Sequence, residues 1–459
     1  MRRNFVRLLL IACLPVMAQE GQPESELRLE AKDVGKDCSS FKSAASCGQV
    51  LFTDHPLHIT VGGIAPGNGI GVGPALVYDW EAGENWRLNF NADAVASSNG
   101  SWRAGMYLKA LFTSSKPVKV IHKRPDPTDK PKTKPLFGPV PELNFYVQSI
   151  SLNKLSYYGL GPFSSRQNLA LYGMQETIVG GNGVYPIGKT GLALFGELNG
   201  RLVSLRGRQG DSSPSIEQLY TESSAPGLLK QPGYLQTGEG LRLTRDFGDH
   251  FNLQWAGTFQ QFVATDSKYS FERWTLDFSH TIPLYSKSTQ RRAPASAGVG
   301  PDQSPAPLEE SRHHTENVEG GFGLRALLSE SIIPSGHVEP FYFQPTIGGS
   351  DINGNLELGS YADYRFRAPN LLLFEGSFEH SIWGPIGATI RADFGRVALS
   401  RGDIGFDHFR HSYAAGLTIR AGGFPQVWLL FAWGGGEGTH TTGYISPGLL
   451  GGSNRPSLY

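Results

Sequence analysis

The chain has 459 residues and a formal net charge of +0, so it has no basic excess with which to neutralise phosphates, and no nucleic-acid partner is expected. Charged residues make up 18%, aromatics 11%, and there are 58 glycines; an average globular chain carries about 25% charge. No apolar run reaches the roughly 18 residues of a membrane-spanning helix, so the composition excludes a helical membrane protein and suits an all-β envelope protein.

The chain opens with a secretory signal. Arg2, Arg3 and Arg7 form a basic start, Leu8 to Val16 is apolar, and Val16-Met17-Ala18 is an acceptable cleavage triplet. This makes residues 1–18 a signal peptide, with lipidation at Cys13 in Leu10-Ile11-Ala12-Cys13 as the alternative. Residues 19–54 read as a short periplasmic lead segment. They contain Cys38 and Cys47, close enough in CSSFKSAASC for a local disulfide in an oxidising compartment. No His or further Cys lies nearby at ligand spacing, so no metal is expected there.

From His55 onward, short alternating runs recur between Gly, Asn, Asp and Pro. In the first clear one, Trp86, Leu88, Phe90, Ala92 and Ala94 oppose Arg87, Asn89, Asn91 and Asp93. Phe251, Leu253, Trp255 and Phe259 oppose Asn252, Gln254, Thr258 and Gln260, and Trp274, Leu276 and Phe278 oppose Thr275, Asp277 and Ser279. Period 2 sends alternate side chains to opposite sheet faces. A soluble sandwich could also alternate. Here the polar face carries Arg, Asp, Asn and Gln, and aromatics (Trp86, Trp274, Trp383, Trp433) gather near strand ends. Both features favour a membrane barrel with a polar lumen.

The pattern predicts strands over 55–64, 70–80, 85–95, 101–112, 142–152, 166–178, 188–206, 237–247, 250–261, 270–283, 315–328, 371–382, 387–399, 409–421, 425–435 and 439–447. The expected fold is therefore an all-β, transmembrane antiparallel β-barrel of about 16 strands over residues 55–447, followed by a C-terminal tail over 448–459. Its expected location is the bacterial outer membrane, in contact with outer-membrane lipid. If the lead segment is periplasmic, parity puts the short connections Glu81–Glu84, Gly248–Asp249, Trp383–Ile386 and Gly422–Pro425 on that side. The long segments Gly207–Leu235 and Glu339–Pro369 then fall on the outer side, as barrels prefer. Two long connections, Thr113–Pro141 and Lys287–His314, fall on the periplasmic side against that rule. The first is rich in Pro and Lys and reads as a disordered insertion.

Catalytic patterns are weak. His313-His314, with Glu309 and Glu310, lie in a low-complexity loop and read as solvated rather than as metal ligands. Asp407, His408, His411 and Ser412 suggest a hydrolase, but no Gly-x-Ser-x-Gly elbow accompanies them and neighbouring strand residues point to opposite faces. The glycines of Gly62 to Gly73 lack the Lys-Ser/Thr of a phosphate loop. The expectation is no enzyme, no cofactor and no metal.

The segment from Glu339 to Val397 carries the chain's most specific pattern. Its second strand places Ile390, Ala392 and Phe394 on one face and Thr389, Arg391, Asp393 and Gly395 on the other. Along the chain stand Thr281-Ile282-Pro283-Leu284, Pro340-Phe341-Tyr342, Gly348-Gly349, Leu358-Gly359-Ser360-Tyr361, Tyr364-Arg365-Phe366-Arg367 and Arg391-Ala392-Asp393-Phe394-Gly395. In order and spacing, the region from Tyr269 to Tyr444 resembles the C-terminal barrel of the bacterial surface antigen family, the BamA/TamA type. The resemblance implies that the loop between strands 11 and 12 of the barrel folds into the lumen. It names a lumen loop set (Gly348, Gly349, Glu357, Leu358, Gly359, Tyr361, Arg365, Arg367) and a barrel-wall set (Arg391, Asp393, Gly395). In the family a loop Arg meets the wall Asp. Here Gly359 stands where that Arg would be, and Arg391 stands where the family has a lumen-facing Phe. The charge has moved from loop to wall, and Arg391 is expected to pair with Asp393 or with Glu357.

The function so implied is membrane-protein or lipid handling, or a gated translocation pore, with a periplasmic or unfolded outer-membrane protein as partner. Members that insert or export proteins carry periplasmic repeats, and residues 19–54 are too few for them, so activities needing those modules are not expected. The alternatives are a passive diffusion channel for small solutes and, third, an outer-membrane hydrolase.

Overall fold

The computed structural model describes residues 57–83, 85–113, 140–208, 213–247, 251–292, 313–383, 386–421, 424–445 and 455–458. Cys13, Cys38, Cys47 and the 114–139 insertion lie outside them. Sixteen strands form one antiparallel sheet in chain order. They are β1 (Leu57–Gly63), β2 (Ile70–Ala82), β3 (Trp86–Ala96), β4 (Trp102–Phe112), β5 (Glu142–Tyr157), β6 (Ala170–Pro186), β7 (Leu192–Gly207), β8 (Tyr234–Asp246), β9 (Asn252–Ala264), β10 (Phe271–Arg292), β11 (His313–Ile332), β14 (Asn370–Trp383), β15 (Ile386–Ala398), β16 (Arg410–Ala421), β17 (Phe424–Trp433) and β18 (His440–Ile445). A two-residue pair, β12 (Thr346–Ile347) and β13 (Phe366–Arg367), lies in the long loop between β11 and β14. At the seam, Cα atoms of β1 and β18 come within 8 Å, and no ladder joins the two strands among the described residues.

The alternation read from the sequence sorts the two faces. Outward side chains include Leu198, Leu202, Leu241, Ile390, Leu417 and Leu429, all exposed. Their neighbours one position along, such as Asn199, Arg201, Thr389 and Thr418, are buried in the lumen. A barrel with lipid outside and polar groups inside has this inversion of the soluble-protein rule.

Several strand boundaries depart from expectation, and β6, for instance, runs on to Pro186. Arg166–Asn168 is a 3-10 turn, capped by the Ser165 hydroxyl accepting from Gln167 N, so β6 starts at Ala170. β5 runs on to Tyr157 through an irregularity between Leu152 and Leu155, which breaks the alternation there. Both described ends of the expected connection Lys287–His314 are strand: β10 runs to Arg292 and β11 starts at His313. Pro283 sits at a bulge, where a residue without an N–H is tolerated, and pairing continues to Arg291↔His314 and Arg292↔His313. A ladder needs only backbone groups, so a run with no apolar period can still extend one. His313 and His314 therefore stand on β11, not in a loop.

The main core is inside the barrel, at the end from which the β11–β14 loop enters. Phe341 packs against Tyr157 and Tyr172 with ring centroids 4.9 Å and 5.2 Å away. Phe343 meets Tyr234 at 5.0 Å, and Phe262 stacks on Phe271 at 4.5 Å.

Candidate functional site

The loop between β11 and β14 fills this part of the lumen, and its folding starts with glycine. Gly348 and Gly349 have φ of 109° and 61°, a region that costs other residues a steric penalty. A Cβ on Gly349 would sit 2.6 Å from Asp363 N. This turn lets Gly348 N donate to Glu357 O (3.2 Å), Gly349 N to Leu358 O (3.2 Å) and Glu357 N to Gly349 O (3.0 Å), closing a small hairpin. Asp351 tightens its tip, accepting from Asn355 N at 2.7 Å and Asn355 Nδ2 at 2.9 Å. Leu358 and Tyr364 also hold positive φ, 53° and 61°. A bulky residue in that region persists only where its surroundings hold it, as the buried packing of both side chains does here.

The hairpin presents Leu358 to the wall. Its amide donates to Asp393 Oδ2 at 3.1 Å. Arg391 Nε donates to Asp393 Oδ1 at 2.8 Å, and Arg391 Nη2 reaches Leu356 O and Glu375 Oε1. Its carboxylate partners are thus Asp393 and Glu375, while Glu357 acts on it through charge alone. Arg325 extends the network, bonding Asp277 Oδ2 at 2.8 Å and Glu375 Oε2 at 3.0 Å. Although Gly359 supplies no guanidinium, Arg391 makes the loop contact from the wall side. Gly359 packs closely, since a Cβ there would meet Ala432 Cβ at 3.3 Å. Gly395 has the same role on β15, where a Cβ would lie 3.0 Å from Leu373 Cδ1 and 3.2 Å from Ile347 Cδ1.

The other motif residues pin the loop elsewhere. Arg365 bonds Glu437 (2.9 Å from Nε to Oε1), Ser164 Oγ (3.0 Å) and Ser164 O (2.8 Å). Its guanidinium also lies over the Phe366 ring at 4.5 Å. Arg367 donates to Phe341 O at 2.5 Å, and Tyr361 Oη donates to Gly435 O at 2.8 Å.

Burial raises the carboxyl pKa of Glu357 well above its ordinary value; the charges of Asp351 and Glu375 add to this, and Arg325 and Arg391 oppose it. Burial likewise pushes Asp363 up from 3.8 to about 6. Glu339 is raised by burial, against the lowering effect of Arg273.

Several anchors were not given this role from sequence. Arg273 donates to Glu339 Oε1 at 2.5 Å and Phe343 O at 2.6 Å. Period 2 already sends it inward, one position from Trp274, but nothing in the sequence reveals the loop residue it meets. Ser412, considered above with a hydrolase in mind, accepts from Ser360 N at 2.8 Å and is buried, while His411 beside it is exposed on the other face. Tyr364 Oη donates to Pro66 O at 2.8 Å, 298 positions away.

No protein-family model and no curated protein matches this chain. Among solved structures, it is similar to BamA from Haemophilus ducreyi lacking POTRA domains 1–3, at 13% identity and a TM-score of 0.48 over 85% of this chain and 70% of that one. It is also similar to CdiB from Acinetobacter baumannii (10% identity, TM-score 0.44, 84% and 58% of the two chains) and CdiB from Escherichia coli (11% identity, TM-score 0.45, 83% and 59%). The likeness is one of overall fold.

Proposed function

We propose that this chain is an outer-membrane barrel of the surface antigen type, acting as a gated pore in membrane-protein or lipid handling. The observation that carries this reading is the docked loop. From Glu339 to Asn370 nearly every side chain is buried, and the loop is tied to the wall at Asp393, Ser412 and Arg273 and to the β17–β18 turn at Glu437. A passive channel has no need of so many specific ties across its lumen. Ties of this kind suit an element with a docked and an undocked position. Outer-membrane lipid and an unfolded outer-membrane or periplasmic protein are the partners this reading implies.

Bilayer recording of the purified barrel tests it. The intact chain should give low or flickering current, and deleting 350–360 should raise it. A large steady current that survives the deletion would replace this reading with the diffusion channel.

A further inference from the structure

Residues Arg455–Leu458 lie inside the lumen, although the last barrel strand ends at Ile445. Each of the four makes a contact there or is buried. Arg455 Nη2 bonds Asp93 Oδ2 on β3 at 3.0 Å. Pro456 is buried. Ser457 O accepts from Arg201 Nη2 on β7 at 2.9 Å, and Ser457 Oγ accepts from Asn353 Nδ2 at 3.2 Å. Leu458 N donates to Asn353 Oδ1 at 2.9 Å, and its side chain joins the main core beside Ile352. Asn353 and Ile352 belong to the tip of the docked loop, so these residues bridge wall and loop.

The two charged receiving groups on the wall are held in place without them. Asp93 also bonds Arg103 Nη2 at 2.9 Å. Arg201 bonds Glu176 Oε1 at 2.7 Å and Gln236 Oε1 at 2.5 Å. Withdrawing 455–458 therefore leaves no wall charge unpaired. That separates a bound ligand from a structural ion pair, whose loss strands a buried charge. A polar cavity of about 510 Å³ continues beside the segment, lined by Glu197, Arg242 and Gln260 as well as by Arg455 and Ser457.

We propose that the lumen carries a peptide-binding site whose resident occupant is this chain's own Arg455–Leu458. The site takes an extended peptide with a guanidinium three residues before an apolar side chain. The carboxylate of Asp93 reads the cation. Arg201 and Asn353 read the main chain between, and the aromatic core receives the apolar end. Because the resident belongs to the same chain, its binding is intramolecular, which keeps the site filled against dilute competitors.

The test uses a chain ended at residue 454, solubilised in detergent, and a fluorescent peptide of residues 451–459. Anisotropy should show binding to the shortened chain at least tenfold tighter than that of the same peptide carrying Arg455→Glu. The full chain should bind the peptide at least tenfold more weakly than the shortened one. A folded shortened chain that binds both peptides equally, or neither, overturns the proposal, as does a full chain that binds as well as the shortened one. Should the shortened chain not fold, the full chain carrying Arg455→Glu and Leu458→Asp takes its place and must gain peptide binding relative to the unmodified chain. The readout involves no current, so its failure leaves the gated-pore reading standing, and failure of that reading leaves this site untouched.

Discussion

Replacing Asp393 by alanine removes one of the points where wall and loop meet. The Leu358 amide loses its acceptor in a buried position, which costs about 1–3 kcal/mol. Arg391 loses one carboxylate but keeps Glu375 and Leu356 O. Its penalty therefore falls below the roughly 3–5 kcal/mol of a fully stranded buried charge. Together these give about 3 kcal/mol against loop docking. At about 1.4 kcal/mol per tenfold, the undocked population rises by roughly two orders of magnitude. Arg365 and Arg367 provide the assay, since both are trypsin sites buried in the docked loop. Where reclosing is fast, cleavage tracks the open population. Cleavage at these two arginines should accelerate about a hundredfold in Asp393→Ala, and less in Asp393→Asn, which keeps an acceptor for Leu358. A rate within twofold of the unmodified chain, in a variant that still runs as a folded barrel on an unheated gel, would refute the docking argument.

Loop docking should weaken with rising pH. Asp363, Glu357 and Glu339 all hold their protons longer in the folded state than in the unfolded one, so stability is lost as pH rises. For Asp363 the window runs from 3.8 to about 6. Tryptic cleavage of the loop should be slower at pH 5 than at pH 7 once corrected for trypsin's own profile, and Asp363→Asn should shrink the difference; an unchanged difference in that variant would count against the assignment. Gly395→Val adds atoms where a Cβ already lies 3.0 Å from Leu373. It should cost about 1–3 kcal/mol, read as a lower gel-shift temperature. Ile390→Arg puts a charge on the lipid face, where Ile390 is 58% exposed. It should cost about 2–4 kcal/mol if mid-membrane, whereas a soluble sandwich would tolerate it; an unaltered folding yield in lipid vesicles would contradict the barrel's orientation.

The barrel itself was legible because lipid outside and polar groups inside impose period 2 on every spanning strand. Trp86–Ala96 and Ile386–Ala398 follow that rule, and their ends were read to within a residue or so. The rule fails where backbone pairing continues without a change of environment, as it does from Tyr285 to Arg292. The motif residues of the loop were also visible in the sequence, because glycines at 348 and 349 and arginines at 365 and 367 stand out in any reading. What they touch was not visible. Arg365 meets Glu437, 72 positions away, Arg273 meets Glu339, and Arg455 meets Asp93, 362 positions away. Period and spacing are local properties of the chain. The partner of a buried charge is set by which segments the curled sheet brings to the same height in its lumen, and only the tertiary structure decides that.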